Sequence, residues 1–150
     1  MGAREELLLE AVAMLGHTGT VYSVSPVYET QAWGLTDQPD FLNLVLELHT
    51  LTPPALLLRI IHDIEKSLGR ERVMHWGMRS IDIDILFYGS EIINTDMLTV
   101  PHPHIPRRRF VLVPLADVAP DYIHPVTGIS VTDMLNACED TQEVTLWGKL

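Results

Sequence analysis

The chain has 150 residues, 47% of them apolar, and a net charge of −10; that length suits a single domain, 1–150, with its own core, and that sign argues against a broad nucleic-acid surface or an anionic membrane partner. No uninterrupted apolar run approaches the roughly 18 residues of a membrane span, and the opening Met1-Gly2-Ala3-Arg4-Glu5-Glu6 is not a signal peptide, so a cytoplasmic location is expected. The one cysteine, Cys138, can form no intramolecular disulfide and no thiolate metal site by itself, which leaves packing.

Leu7, Leu8, Ala11, Met14 and Leu15 recur at helical spacing, with Glu5 and Glu6 in the first turn and Gly16 as a stop, and predict an amphipathic helix over Arg4 to Leu15. Thr20 to Ser25 alternates like a strand that Pro26 limits. Gln31 to Asp40 has no period and reads as a loop. Phe41 to His49 predicts one strand with Leu42, Leu44, Leu46 and Leu48 toward a core. Phe41 and Asn43 then stand side by side on the other face, an aromatic platform beside an amide that both donates and accepts.

Thr52-Pro53-Pro54 predicts a helix start, Leu57, Ile60, Ile61, Ile64 and Leu68 its buried stripe, and Gly69 its end. His62 and Glu65, three apart, lie near one another on that helix. A polar loop, Arg70 to His75, is expected next, then the Asp-bearing strand, a turn at Gly89 and a short strand at Glu91 to Ile93. The Val100-Pro101-His102-Pro103-His104 segment is held extended by its prolines. Its His-x-His pair lacks the cysteine or further histidine that a tetrahedral zinc site needs. Arg107 to Arg109 then open the apolar stretch Phe110 to Leu115. Ser130 to Ala137 predicts a last helix and Glu143 to Trp147 a last strand.

The stretch Trp76-Gly77-Met78-Arg79-Ser80-Ile81-Asp82-Ile83-Asp84 places two carboxylates in a β-branched run. Period-2 alternation sends Ile81, Ile83 and Ile85 inward and Asp82 and Asp84 to the opposite face. Same-face strand neighbours lie roughly 6.5–7 Å apart. At an effective dielectric of about 20, two like charges there repel by roughly 2.5 kcal/mol. A hard divalent cation held by one or two carboxylates, with water and phosphate oxygens completing its shell, offsets that repulsion; a solvated face carrying two aspartates is the plainer alternative. Six of the ten Lys and Arg residues (Arg70, Arg72, Arg79, Arg107, Arg108, Arg109) fall in the forty-residue span that holds the pair, which suits a small polyanion bound with its metal.

Four strings occur in order: Ser25-Pro26-Val27-Tyr28-Glu29-Thr30, Gln38-Pro39-Asp40-Phe41-Leu42-Asn43, the Trp76 to Asp84 stretch, and Leu98-Thr99-Val100-Pro101-His102-Pro103. Together they closely resemble the 6-hydroxymethyl-7,8-dihydropterin pyrophosphokinase family of folate biosynthesis, from about Gly2 to about Gly128. The resemblance implies an α+β fold, a ferredoxin-like core with a mainly antiparallel sheet inside an α-β-α sandwich. It implies transfer of diphosphate from ATP to the pterin hydroxymethyl group, with AMP released.

Carried over by resemblance, Asp82 and Asp84 hold two Mg2+ ions. Phe41 and Phe110 sandwich the pterin, Asn43 reads its edge, and Thr30 and Trp33 line the same pocket. Trp76 and the Arg70 to Arg79 segment close over the substrates. Arg70, Arg79 and Arg108 neutralise phosphate, His102 touches the nucleotide phosphates, and His62, Glu65, Ile85 and Thr99 lie on the ATP side. The substrates are thus small molecules, ATP and the pterin, and the chain is expected to act as a monomer without nucleic acid or membrane. Met78 stands where the family usually has proline, and Phe41 where some relatives have tyrosine. The family's opening strand has no counterpart before Arg4, so a truncated start, a gap in the core sheet and a catalytically silent pterin- or nucleotide-binding module form the alternative expectation. A different metal-dependent phosphoester enzyme is a third.

Overall fold

The computed structural model describes residues 2–31, 40–76 and 81–150, without the side chains of 70–76. Helix α1 (Ala3–Leu15) starts where the Glu5 carboxylate accepts the Gly2 N–H, and it buries Leu7, Ala11 and Leu15, spaced by four. It stops as predicted, with the Gly16 N–H bonded to the Val12 carbonyl at 3.1 Å. Helix α2 (Pro54–Trp76) lies against it through Leu57, Ile61, Ile64 and Leu68. Leu46, Leu48, Ile81, Ile83, Ile85 and Tyr88 complete this first core. Each leucine or isoleucine buried there contributes roughly 1.5–3 kcal/mol before entropy is counted.

Gly69 does not end α2, which runs on through the segment expected as a polar loop, to Trp76. One glycine costs a helix about 1 kcal/mol relative to alanine, and the Arg-Glu-Arg residues that follow favour the helix again. Trp76 therefore belongs to the helix and not to a strand.

Strands β1 (Thr20–Val24) and β4 (Leu46–His49) pair antiparallel, with a bulge between Val21 and Ser23. Gly19 enters β1 so close to its neighbour that an added Cβ would sit 2.2 Å from the His49 carbonyl oxygen. Strands β2 (Val27–Thr30), β3 (Phe41–Asn43) and β7 (Thr145–Gly148) form a second antiparallel sheet in the order β3-β2-β7. The predicted single strand Phe41 to His49 is thus two strands in two sheets. The break is made at Ser25 and Val45, where the Ser25 N–H bonds the Val45 carbonyl at 2.8 Å and the Ser25 Oγ accepts the Val45 N–H at 2.9 Å. A side-chain oxygen there takes the place of a ladder carbonyl, and Pro26 has no N–H to continue the pairing.

The expected strand through the two aspartates is also different. Burial alternates over Ile81, Asp82, Ile83, Asp84 and Ile85 as predicted, but among the described residues 81–88 join no ladder. A hairpin of β5 (Ile93–Asn94) and β6 (Thr99–Val100) follows the turn at Gly89, whose φ of +55° lies in the left-handed region that glycine favours.

Beyond a 3₁₀ turn at Ile105–Arg107, α3 (Arg109–Val118) and α4 (Val131–Ala137) build a second core from Ile105, Leu112, Leu115, Val131 and Met134. Ser130 caps α4 as its sequence predicts, accepting the Asp133 N–H at 3.1 Å. Val45, Leu86 and Phe87 face this second core, whereas Leu46, Leu48, Ile83 and Ile85 face the first. The extended segments therefore lie between two helical layers, an α+β chain with antiparallel pairing in α-β-α arrangement. The pairing is divided among three small sheets. Among the described residues no helix is long and apolar enough to cross a membrane.

Candidate active site

Asp82 and Asp84 are exposed on the face opposite Ile81, Ile83 and Ile85, and among the described residues no hydrogen bond or ion pair engages either carboxylate. The chain between them is held from behind, where Glu65 of α2 accepts the Ile83 N–H at 2.7 Å. Three residues further along, the Leu86 carbonyl accepts the His102 N–H at 2.9 Å, which brings the Val100 to His104 segment alongside. His102 is half-buried, and burial pushes its imidazole below the ordinary value of 6.5. The negative charge of Asp84 opposes that shift, while Arg108 and His104 add to it. Its Nδ1 accepts the His104 N–H at 3.2 Å, so the neutral ring carries its proton on Nε2.

A second half of the site stands on β2 and β3. Thr30 pairs with Phe41 and Tyr28 with Asn43, and residues opposite one another in an antiparallel ladder share a face. Thr30 is buried, Phe41 is 47% exposed, and the Asn43 amide nitrogen lies 3.4 Å from the Thr30 hydroxyl. Helix α3 packs against both strands and carries Phe110 in its first turn. Arg108 joins the halves. Its guanidinium lies 5.8 Å from the centre of the Phe110 ring, and its charge is felt at His102 beside Asp84.

The structure thus gathers Asp84, His102, Arg108 and Phe110, and separately Thr30, Phe41 and Asn43. Thr99 and His62 are exposed, on β6 and on the outer side of α2. Ile85 packs its side chain into the first core, away from the Asp84 face. Glu65, expected on the ATP side, spends one oxygen on the Ile83 N–H. Trp33, Met78 and Arg79, the side chains of Arg70 and Trp76, and most of the expected Gln31 to Asp40 loop lie outside the described residues.

The sequence reading missed three residues that bear on this geometry. Tyr28 donates its hydroxyl hydrogen to Asp117 of α3, and Asp140 accepts the Arg109 N–H at 3.1 Å. Tyr28 is two residues before Thr30 on β2, a strand that the sequence reading, stopping at Pro26, does not extend to. Nothing local announces Asp140, which reaches α3 from 31 residues away.

The two aspartates offer hard oxygen donors suited to a divalent cation. Among the described residues no group of three or more His, Cys, Asp and Glu side chains could hold a metal by themselves. That donor set fits magnesium, which keeps water and phosphate oxygens among its ligands, and does not fit a closed zinc site.

A sequence model of the 7,8-dihydro-6-hydroxymethylpterin-pyrophosphokinase (HPPK) family matches residues 1–120. The chain is 42% identical over 126 residues to a 2-amino-4-hydroxy-6-hydroxymethyldihydropteridine pyrophosphokinase of Aquifex aeolicus, covering 84% of this chain and 79% of that protein. It is 45% identical over 120 residues to the Bacillus subtilis protein of the same name, covering 79% and 72%. With the Haemophilus influenzae protein of that name it shares 38% identity over 138 residues, covering 92% and 85%. The two-sided face of carboxylates and aromatics therefore stands in a member of the HPPK family.

Proposed function

We propose that the protein transfers the terminal diphosphoryl group of ATP to 6-hydroxymethyl-7,8-dihydropterin. The pterin hydroxymethyl oxygen bonds to the β-phosphorus, the bond from that phosphorus to the oxygen bridging it to the α-phosphorus breaks, and AMP leaves with that oxygen. The hydroxyl proton passes to solvent or to a nearby base. The observation that carries this reading is Arg108, poised between the Phe110 ring and the Asp84–His102 side. A flat heterocycle stacked on Phe110 and a phosphate chain at the aspartates would meet at that cation.

In this reading Phe41 and Phe110 stack the pterin and Asn43, beside Thr30, hydrogen-bonds its edge. Asp82 and Asp84 would hold two magnesium ions, which supply charge neutralisation and alignment of the phosphates. Arg108 and His102 add contacts to the phosphates, Arg70, Arg79 and Trp76 take the closing and charge-neutralising roles that the family resemblance assigns, and Trp33 lines the pterin pocket in the same resemblance. Such transfer depends mainly on positioning and electrostatic stabilisation, so a stacking slot, paired carboxylates and arginines suffice. A cytoplasmic location belongs to the same proposal, supported by the ATP requirement, and so does action as a monomer.

The test is ATP-to-AMP conversion with and without the hydroxymethyl-dihydropterin, at saturating magnesium. AMP formed only with the pterin is the expected result. Pterin-independent AMP, or binding of both ligands without AMP, would overturn the proposal, and the second outcome would identify a silent binding module.

A further inference from the structure

Helix α3, which carries Phe110, is held at both ends by carboxylates. At its N-terminal end Arg108 makes no side-chain cap hydrogen bond. The first helical N–H, that of Arg109, donates instead to Asp140, whose other oxygen accepts the Gln142 N–H at 2.9 Å. A negative group at this end also complements the helix dipole. Asp140 lies beyond the 1–120 span that matches the family, so this anchor comes from the chain's own tail.

At the far end Asp117 accepts the Tyr28 hydroxyl. Asp117 follows Phe110 by seven residues, two helical turns or about 10.5 Å, so both lie on one stripe. Tyr28 shares its sheet face with Thr30, Phe41 and Asn43. The Tyr28–Asp117 bond therefore ties the stripe that carries Phe110 to the face that carries Phe41. The Tyr28 hydroxyl is pushed up to about 12, first by its hydrogen bond to Asp117, then by burial and the aspartate's charge. It stays protonated, and so able to donate, across any ordinary assay pH.

Between the two anchors sits Pro114, fully buried. Proline has no N–H to bond the carbonyl four residues earlier, here that of Phe110. The first turn is correspondingly less tied to the second, and one anchor cannot set the position of both.

We propose that Asp140 and the Tyr28–Asp117 pair are positioning residues for the pterin subsite, holding the two halves of a proline-interrupted helix so that Phe110 stands at a set distance from Phe41 and Asn43. The inference rests on reading Phe110 as a pterin-stacking face.

The test compares Asp140→Leu and Asp117→Leu with Asp140→Asn and Asp117→Asn, because asparagine keeps a carbonyl oxygen that accepts from N–H or O–H. Calorimetry of the leucine variants should show the pterin bound about five- to tenfold more weakly and a magnesium-loaded, non-hydrolysable ATP analogue within about twofold of the parent, as one lost hydrogen bond predicts. The asparagine variants should recover most of the pterin affinity. In ligand-free protein labelled with 4-fluorophenylalanine at its three phenylalanines, the Phe110 fluorine signal, assigned from a Phe110→Leu sample, should shift or broaden in the leucine variants only. An unmoved Phe110 signal, or equal loss of both ligands, overturns the inference. A parent protein that binds no pterin overturns the functional reading instead, and the fluorine signals still decide the positioning.

Discussion

Glu65 offers the sharpest test of how the paired aspartates are supported. Its carboxylate accepts the Ile83 N–H at 2.7 Å from a helix turn packed behind the segment, and 81–88 have no ladder partner among the described residues to take over that hydrogen. A part-buried hydrogen bond to a charged acceptor contributes about 1.5–3 kcal/mol. Glu65→Ala should therefore cost about 2 kcal/mol, and Glu65→Gln, which keeps a neutral acceptor, about 1 kcal/mol. For a chain of this size 2 kcal/mol corresponds to a Tm lower by about 4–8 °C. Ile83 sits between the two aspartates, so the slackened segment should also raise the magnesium concentration for half-maximal turnover severalfold. Urea melts and a magnesium titration of activity measure the two effects. If Glu65→Ala melts like the parent and needs no more magnesium, the carboxylate does not hold the Asp pair.

Asp82→Ala and Asp84→Ala should each nearly abolish pterin-dependent AMP formation while leaving the melt within about 2 °C, since both side chains are exposed; near-parental turnover at saturating magnesium would remove them from the site. Phe110→Ala should weaken pterin binding by about 0.5–1.5 kcal/mol beyond the loss of buried area while sparing the ATP analogue in calorimetry. Equal losses would mean general loosening. His124 is buried, its Nδ1 accepts the Val126 and Thr127 N–H groups at 3.1 and 3.2 Å, and burial lowers its affinity for a proton. Because the folded value is depressed, its contribution is complete above the ordinary value of 6.5 and is lost as pH falls through the folded value. Urea midpoints from pH 7.5 down to 5 should fall less steeply in His124→Gln than in the parent; identical slopes would rule the histidine out as a source.

The first core was legible because its signals are local. Leu7, Ala11 and Leu15 repeat at helical spacing, Thr52-Pro53-Pro54 starts α2, and Ser130 caps α4 with the geometry that its type implies. Even the unladdered 81–85 run alternates in burial as its isoleucines predict, since alternation needs only an extended chain over a core. What failed was non-local. Four leucines at period 2 from Leu42 to Leu48 read as one strand, and nothing in that run records that Ser25, twenty residues earlier, would interrupt its pairing at Val45. Gly69 marks a helix end in the sequence because the polar residues after it suit a loop as well as the helix that they in fact continue. At the candidate site, residue type and family pattern pick out Asp82, Asp84, His102 and Phe110, and the structure sets Asp84 and His102 near one another and Arg108 over the Phe110 ring. The hydrogen bonds of Glu65, Asp117 and Asp140 reach partners 18, 89 and 31 positions away, which no window of sequence contains.

The crease at Ser25 and Val45 bears on reaction distance. Two adjacent strands leave one ladder and enter another at the same level, so the direction of everything beyond, from Tyr28 and Thr30 to Phe41 and Asn43, is set at one serine hydroxyl, which accepts from Val45 and donates to the Pro26 carbonyl at 2.8 Å. The carboxylate half packs beside β4, on the near side of that fold line. In the proposed binding mode the gap between the stacked heterocycle and the phosphate chain is then an angle as much as a length, and a misplacement of about 1 Å can cost a hundredfold in rate. One small, buried oxygen thereby sets the pitch between the two halves of the candidate site.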